Sequence, residues 1–401
     1  MSEPLSRDDL DCLMRGACFL GSGGGGRLDI AQRIRDKILG GSPVTAENLR
    51  DVPDDAFMCF VAGVGAPSGE STFCQSSLKS FRALEGEMQK EKGKDFHFQY
   101  VIPGETGAVN SVLPLLVPAQ IGDSVRLVNA DGGGRAFPLL EMCTFALDPT
   151  PIPCNPAAVA NEDPNVPAVI FNPSTPQNLE QQIGSDPRFS HEAALATFVM
   201  NGKQAKAPGR SVDSAPRTAI EVGEALLLPS QECRIARIEQ IFRKKGRWVF
   251  TLGDGNFTHL EPKQGKSCDV GTLTFIGTGW PEACSLEIDF VNENLATRLH
   301  LGSEVYDWMA PWMFCYLSPA GDPLSNADVA SEWKGEKIPI TLLAISPARE
   351  SSTKQERTYF RNLYDKYFPE PPHPCGEEPD WDVMMAHAAD MKCDVRLSRP
   401  G

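Results

Sequence analysis

The sequence predicts a two-part α/β protein, with an amino-terminal, mostly parallel, three-layer α/β domain followed by a β-rich carboxyl-terminal domain. Three observations predict it. Apolar runs at residues 57–62, 96–102 and 125–128 alternate with helical patterns and end in glycine-containing turns, as in the strand–helix units of a parallel sheet. After Phe145 the texture changes to a proline-dense stretch over 148–176, which reads as a linker or irregular crossover. From Cys233 onward the signal is β. At 401 residues two domains are the natural expectation, and the divisions read from the sequence are 1–165, 166–350 and a tail over 351–401.

Taken in order, Ser6 with Asp9 is a capping-box-like start, and Leu10, Leu13, Met14 and Ala17 recur at helical spacing. That helix ends in Gly-Ser-Gly-Gly-Gly-Gly over residues 21–26, and a second helix carries Ile30, Ile34 and Ile38 on one face before Gly40. The run satisfies G-x-G-x-x-G literally. The dinucleotide fingerprint needs a strand before the glycines, however, and the pattern there is helical. What survives is more general: Gly23, Gly24, Gly25 and Gly26 precede a helix amino terminus and offer N–H groups to a carboxylate, phosphate or oxyanion, with Asp29 as an internal alternative. Ser22 adds the loop's one hydroxyl, a ligand contact or nucleophile without a base nearby in sequence.

Phe57 to Ala62 reads as a buried strand ending in the turn 63–67. A helix follows with Leu78, Phe81, Leu84 and Met88, stopped at Gly93. The strand at 96–102 leads into Pro103–Asn110, which carries Glu105 and Asn110, and then into an apolar, proline-interrupted helix through Leu115 and Val117. The third strand enters Val128–Pro138, where three glycines turn the chain and deliver Asp131 and Arg135 to a strand's carboxyl end. Arg135 opens an apolar helical pattern through Leu139, Leu140, Cys143 and Thr144. Right-handed crossovers put these loops on one sheet edge, where open α/β sheets bind ligands. The plainer alternative is a tight turn whose Asp131 only caps the next helix.

In the second half, helical patterns appear near Gln177–Ile183 and Pro216–Leu228. Ile235–Phe242, a glycine-containing turn and Trp248–Leu252 read as a hairpin. Further strands are expected at 271–276, 285–291, 305–317 and 338–345. In the 285–291 strand Leu286, Ile288 and Phe290 alternate with Glu287 and Asp289, as on a half-exposed strand, and it runs into Asn292, Glu293 and Asn294, a turn or the lining of a domain interface. The tail returns to helix around Tyr359, Leu363 and Tyr367 and then to a Pro/Glu-rich end expected to be peripheral.

Composition bounds the function. Net charge is −15, from 38 basic and 53 acidic residues, which argues against a nucleic-acid partner. No apolar stretch approaches the ~20 residues needed to span a bilayer, and no signal-peptide pattern opens the chain, so no membrane and a cytoplasmic location are expected. The 12 cysteines lack Cys-x-x-Cys spacing and several lie in apolar runs, so buried thiols in a reducing compartment are expected, with Cys18 the first to test for reactivity. The six histidines are scattered without His-x-His, which speaks against a binuclear zinc centre, and neither a P-loop nor G-x-S-x-G occurs. Metal and cofactor are left unnamed. Among candidates at loop ends, Glu105 and Asp131 form a carboxylate pair suited to acid–base work or to a hard cation.

Together the motifs resemble the S-methyl thiohydantoin desulfurase family, a former domain of unknown function found alongside hydantoin-utilisation enzymes. The matching pieces are residues 19–26 (Phe-Leu-Gly-Ser-Gly-Gly-Gly-Gly), 63–67, Glu105–Asn110, Asp131–Pro138 and 290–294 (Phe-Val-Asn-Glu-Asn), spread over roughly residues 8–348. Asn129 stands where the family tends to have Asp, so Asp131 is alone in its motif and Glu105 must supply any second carboxylate. The resemblance implies an α/β domain followed by a β-rich one, and an enzyme acting by hydrolytic attack on a hydantoin-like ring or another small cyclic imide or thioimidate. Asp131 or Glu105 would activate water, while Arg135, Asn110 and the N–H groups of Gly23 to Gly26 would hold the carbonyl or oxyanion. Ser22, Asn292, Glu293 and Asn294 complete the expected ligand-binding set. The rivals are a non-catalytic or regulatory ligand-binding protein using the same cleft and, more weakly, a nucleotide-dependent enzyme. The expected partner is a small molecule, with a homo-oligomer left open.

Overall fold

The computed structural model describes residues 3–65, 72–189, 192–263, 268–369 and 378–400. The turn expected at 63–67 therefore has its last two residues outside the described ranges. The first sheet holds β1 (Ala46–Asn48), β2 (Phe57–Gly65), β3 (Tyr100–Pro103), β4 (Arg126–Asp131), β5 (Ala157–Ala160), β6 (Val169–Phe171), β7 (Glu192–Asn201) and β8 (Val212–Asp213). Their order is β1-β4-β3-β2-β7-β5-β6, with β8 against β4. Its helices are α1 (Arg7–Leu20), α2 (Leu28–Leu39), α3 (Ser76–Lys92), α4 (Leu116–Ile121), α5 (Pro176–Ser185), α6 (Gly202–Ala205) and α7 (Ala215–Leu226).

The sheet is mixed, where a mostly parallel one was expected. β1, β4, β3 and β2 pair in parallel, but β7 runs antiparallel to both β2 and β5, and β5 antiparallel to β6. The antiparallel strands come from the proline-dense crossover and the segment after it, whose short runs carry little periodicity of their own. β2 reads as an unbroken apolar run because both its faces are covered. Cys59 and Val61 face a core shared with α1, α3 and α7, and Met58, Phe60 and Ala62 face a second core with Leu179 and Ile183 of α5.

The second unit begins with α8 (Gln231–Lys244) and is built on an antiparallel sheet of β9 (Val249–Lys263), β10 (Val270–Gly277), β11 (Cys284–Val291), β12 (Glu293–Leu301), β13 (Glu304–Met309), β14 (Met313–Leu317), β15 (Pro323–Leu324), β16 (Ile338–Ile345) and β17 (Arg396–Ser398). Its remaining helices are α9 (Asn326–Glu332), α10 (Lys354–Tyr367) and α11 (Trp381–Asp390). The two sheets are not separate bodies. One core joins α1, α7 and α8 to Val249, Met313, Cys315 and Leu343 of the second sheet. No helix among the described residues is long and apolar enough to cross a membrane.

Several expectations are corrected. Ile235–Phe242 is part of a helix, not half of a hairpin: Ile235, Ile238, Ile241 and Phe242 are buried at spacings of three and four, a helical stripe. The helix expected from Arg135 does not form; residues 140–142 and 144–146 are single 3₁₀ turns. The carbonyls such a helix would use are already taken, since Arg135 O accepts from Thr106 N at 3.2 Å and Ala136 O from Arg135 Nε at 2.8 Å. The helix expected around Tyr359, Leu363 and Tyr367 forms as α10, with Phe360 and Leu363 buried. Of the end expected to be peripheral, residues 370–377 lie outside the described residues, and α11 beyond them is not peripheral: its Met384 and Ala388 are buried in the core of the second unit. Because α10 covers β11, Asp289 is buried on the face expected to be half exposed, accepting from Tyr364 Oη at 2.9 Å and Arg298 Nη1 at 2.6 Å.

α1 starts on the capping box read from the sequence, with Asp9 N donating to Ser6 Oγ and Ser6 N to Asp9 Oδ2. It crosses α7 at two glycines. A Cβ on Gly16 would stand 1.7 Å from Ala219 O, and one on Gly223 2.0 Å from Cys12 O. Only backbone fits between these helices. Gly16→Ala is therefore expected to cost at least about 2 kcal/mol through overpacking, seen as a lower calorimetric unfolding midpoint; an unchanged midpoint would refute the packing argument.

Candidate functional site

β3 and β4 lie side by side in parallel, so their carboxyl ends bring Glu105, Thr106 and Asp131 together. Asp131 Oδ1 accepts from Gly133 N at 3.1 Å and Gly134 N at 2.7 Å, which forms the glycine turn, where Gly134 has φ 64°. Its Oδ2 accepts from Thr106 Oγ1 at 2.6 Å. Glu105 Oε1 accepts from Asn110 Nδ2 at 2.6 Å and Oε2 from Phe137 N at 2.9 Å; Asn110 Oδ1 in turn accepts from Gly63 N at 2.9 Å. Asn129, two residues before Asp131 on β4, accepts from Arg217 N at 3.0 Å, inside the first turn of α7. Its amide thus serves a helix start.

Arg135 is buried, and its guanidinium spends its hydrogens on main-chain carbonyls: Ala136 at 2.8 Å, Trp312 at 2.7 Å and Asn294 at 3.1 Å. It lies over the Phe360 ring, 5.0 Å from the centroid. The glycine segment is also filled from the second unit. Gly25 N donates to Glu293 Oε1 at 3.3 Å, and a Cβ on Gly24 would lie 1.9 Å from the same oxygen. The anion at this helix start is the protein's own. Ser22 Oγ accepts from Phe314 N at 3.0 Å and Ser22 O from Asn294 N at 2.8 Å, while Gly23 O accepts from Asn326 N at 2.8 Å. Asn294 Nδ2 reaches Phe314 O at 2.8 Å, and Tyr316 and Asn326 close the network. Asn292 joins this network only through its carbonyl, which accepts from Asn326 Nδ2 at 2.9 Å; with φ 58° it makes the β11–β12 turn, and its Oδ1 accepts from Asp269 N at 2.9 Å.

Burial sets the electrostatics here. It pushes the Glu105 carboxyl up to about 7, with the Asn110 and Phe137 hydrogen bonds pulling back and the Asp131 charge adding to the rise. Asp131 rises to about 6 by burial, held back by Thr106, Gly133 and Gly134. Glu293 is driven well upward, first by burial and then by Glu105, and its Oε2 has no partner. Glu356 of α10 rises to about 8 by burial, and its Oε2 is also unpartnered. Burial lowers Arg135 to about 10 against the charges of Glu293, Glu356 and Glu105. Cys18 is fully buried with its thiol pushed far up, so it has none of the thiolate character of a reactive cysteine, and the described cysteines are all free. Among the described residues no group of three or more His, Cys, Asp or Glu could hold a metal ion.

Beside this cluster lies a cavity of about 320 Å³ between the two units. Thr106, Gly134, Ala215 and Thr218 of the first unit and Lys245, Arg247 and Arg349 of the second line it. Asp131 is thus one hydrogen bond behind the cavity surface. Thr106, Glu356 and Arg247 were not singled out from the sequence. Thr106 falls within one of the family motifs, Glu356 belongs to the tail helix, whose sequence marks no site, and Arg247 was hidden inside the supposed hairpin.

Each raised carboxyl binds its proton more tightly in the folded chain than in the unfolded one, where it titrates near ~4. Its folded-state penalty is absent below that value and complete above its folded value, so stability falls as pH rises from near ~4, until about 6 for Asp131 and until about 8 for Glu356. The thermal midpoint is expected to drop between about pH 5 and pH 8, and Glu356→Gln to flatten that drop; a midpoint that rises over the range would contradict the assignment.

Comparisons with known proteins agree with the architecture. Residues 8–170 match the family described as S-Me-THD-like, N-terminal domain, and residues 188–349 the S-Me-THD-like, C-terminal domain. The fold is similar to a crystal structure of a protein from Chromobacterium violaceum, determined by a structural genomics consortium, with a TM-score of 0.71 and 21% identity, covering 92% of this chain and 99% of that one. No curated protein is a significant match. With both domain families matched in order over most of its length, the chain belongs to the S-Me-THD-like family.

Proposed function

We propose that the protein is a hydrolase of a small hydantoin-like ring, with an S-methyl thioimidate as the fitting substrate class and the interdomain cavity as its site. The observation that carries this reading is the Thr106 hydroxyl on the cavity wall, donating at 2.6 Å to an Asp131 carboxyl raised to about 6. A base of that strength is ionised at neutral pH yet able to accept a proton. Through the Thr106 hydroxyl it would order and activate a water for attack on the ring carbon. The former C=N nitrogen takes up one of the water's protons, the carbon–sulfur bond breaks, the leaving thiolate takes up the other proton, and the products are methanethiol and the ring amide. Glu105, at about 7, is the neighbouring group able to carry a proton to the leaving sulfur. Arg135 and Gly25 N–H, being bonded inside the protein, act by holding Asn294 and Glu293 in place.

A second reading is favoured by one observation. Both Asp131 oxygens already accept hydrogen bonds, as in a purely structural turn. A non-catalytic ligand-binding protein would look the same.

Thiol release from an S-methyl thiohydantoin separates the two. Turnover is expected to fall at least about 100-fold in Asp131→Asn and in Thr106→Val, to persist in Thr106→Ser, and in the native protein to decline below a pH near 6 as Asp131 takes up its proton. The asparagine variant keeps the turn's acceptor oxygen, so its thermal midpoint should move little. Saturable binding without thiol release would establish the second reading instead.

A further inference from the structure

The part of the cavity wall that the second unit contributes has a chemistry that the hydrolytic reading does not use. Lys245, Arg247 and Arg349 all line it, in a chain whose net charge is −15. None of the three has an ion-pair partner among the described residues. Two acids, Asp213 and Glu350, share the lining, so the wall keeps one net positive charge with all five ionised. Burial lowers Arg247 to about 10, and the charges of Cys315, Glu350 and the buried Asp131 pull the other way without forming an ion pair with it.

Arg247 is held as a preset fork. Its Nε donates to Ser346 O at 2.6 Å, and its guanidinium stacks on Phe242 with 4.7 Å to the ring centroid. Its Nη2 meets only the Met313 thioether at 3.8 Å. A planar guanidinium fixed at one nitrogen and one face, with its outer nitrogens lacking a carboxylate, matches the bidentate geometry of a planar anion. Its ordering cost is met before any ligand arrives. From the first unit, the start of α7 joins the lining through Ala215 and Thr218. That helix has no acid in its first turn, where Arg217 N donates to the neutral Asn129 amide. The helix dipole adds positive potential from a third direction.

We infer that this wall is the specificity pocket for a carboxylate carried on the substrate ring, with Arg247 as its principal partner and Lys245 and Arg349 as the surrounding positive rim. The inference rests on the hydrolytic reading for the ring itself, but the charge recognition belongs to the wall alone. A cavity of about 320 Å³ holds a five-membered ring and a short acidic arm and little more. A phosphate would need more donors than one fixed fork supplies, so a carboxylate is the better fit.

The test is equilibrium binding by calorimetry with two probes, a hydantoin ring bearing a carboxyethyl arm and the same ring with the arm as its neutral primary amide. The acid is expected to bind at least about tenfold more tightly than the amide. Arg247→Gln should bring that ratio close to one, and raised salt should shrink it in the native protein. Arg349→Gln, at an exposed position where folding is not at risk, should lower the ratio by a smaller factor and gives a second measure should the Arg247 variant unfold. Equal affinity for the two probes, or no binding of either, overturns the inference even if an S-methyl thiohydantoin is turned over. Charge-selective binding without any turnover upholds it while the hydrolytic reading fails.

Discussion

The buried Arg135 guanidinium is the interaction on which the rest of the molecule depends. It reaches from the glycine turn after β4 to the carbonyls of Trp312 and Asn294 in the second unit, and it lies against Phe360 of α10. A buried cation is costly unless its hydrogens are satisfied and opposite charge is near. Carbonyls meet the first need, and the charges of Glu293, Glu356 and Glu105 meet the second. Those carboxyls are themselves raised by burial. One cation therefore gathers acids from β12, α10 and the loop after β3, and it ties both units and the tail to a single point.

The glycine segment follows the same logic. Its residues are small because Glu293, Gly107 and Asn326 approach its backbone closely, not because a ligand's phosphate needs to: a Cβ on Gly25 would lie 2.4 Å from Gly107 Cα, and one on Gly23 2.4 Å from Asn326 Nδ2. The segment is a joint between units. Open space lies instead beyond Thr106, in the cavity lined by residues of both units. Placing a cavity there allows an acidic group in one unit and basic groups in the other to face the same volume, which is why interdomain sites suit small polar ligands.

Much of this was legible in the sequence where a local rule operates alone. The capping box at Ser6, the stripe Ile30, Ile34 and Ile38, and the apolar run of β2 each report a single dominant force, and each appears as read. Errors arose where two rules compete. Ile235–Phe242 contains enough β-branched residues to read as a strand, yet its burial at spacings of three and four is helical. Pro138 and the engaged carbonyls of Arg135 and Ala136 defeat an apolar helical pattern. The site was half visible. Glu105, Asn110, Asp131 and Arg135 stand at the ends of strands and could be found there, whereas Glu356 and Arg247 are brought in by distant elements with no local mark.

The sequence by itself determined the plan of an α/β unit followed by a β-rich one, the capped start of α1 and the buried stripe of α2, and the clustering of Glu105 and Asp131 at one sheet edge. Periodicity, capping and turn chemistry are short-range and act before the chain closes. Tertiary structure alone decided that the sheet is mixed, that the tail is core, that Glu293 occupies the glycine segment, and that Thr106 and Arg247 line one cavity. Those outcomes depend on which buried charges and backbone groups find partners far along the chain, and a buried polar group's partner is fixed by the closed fold, not by its neighbours in sequence.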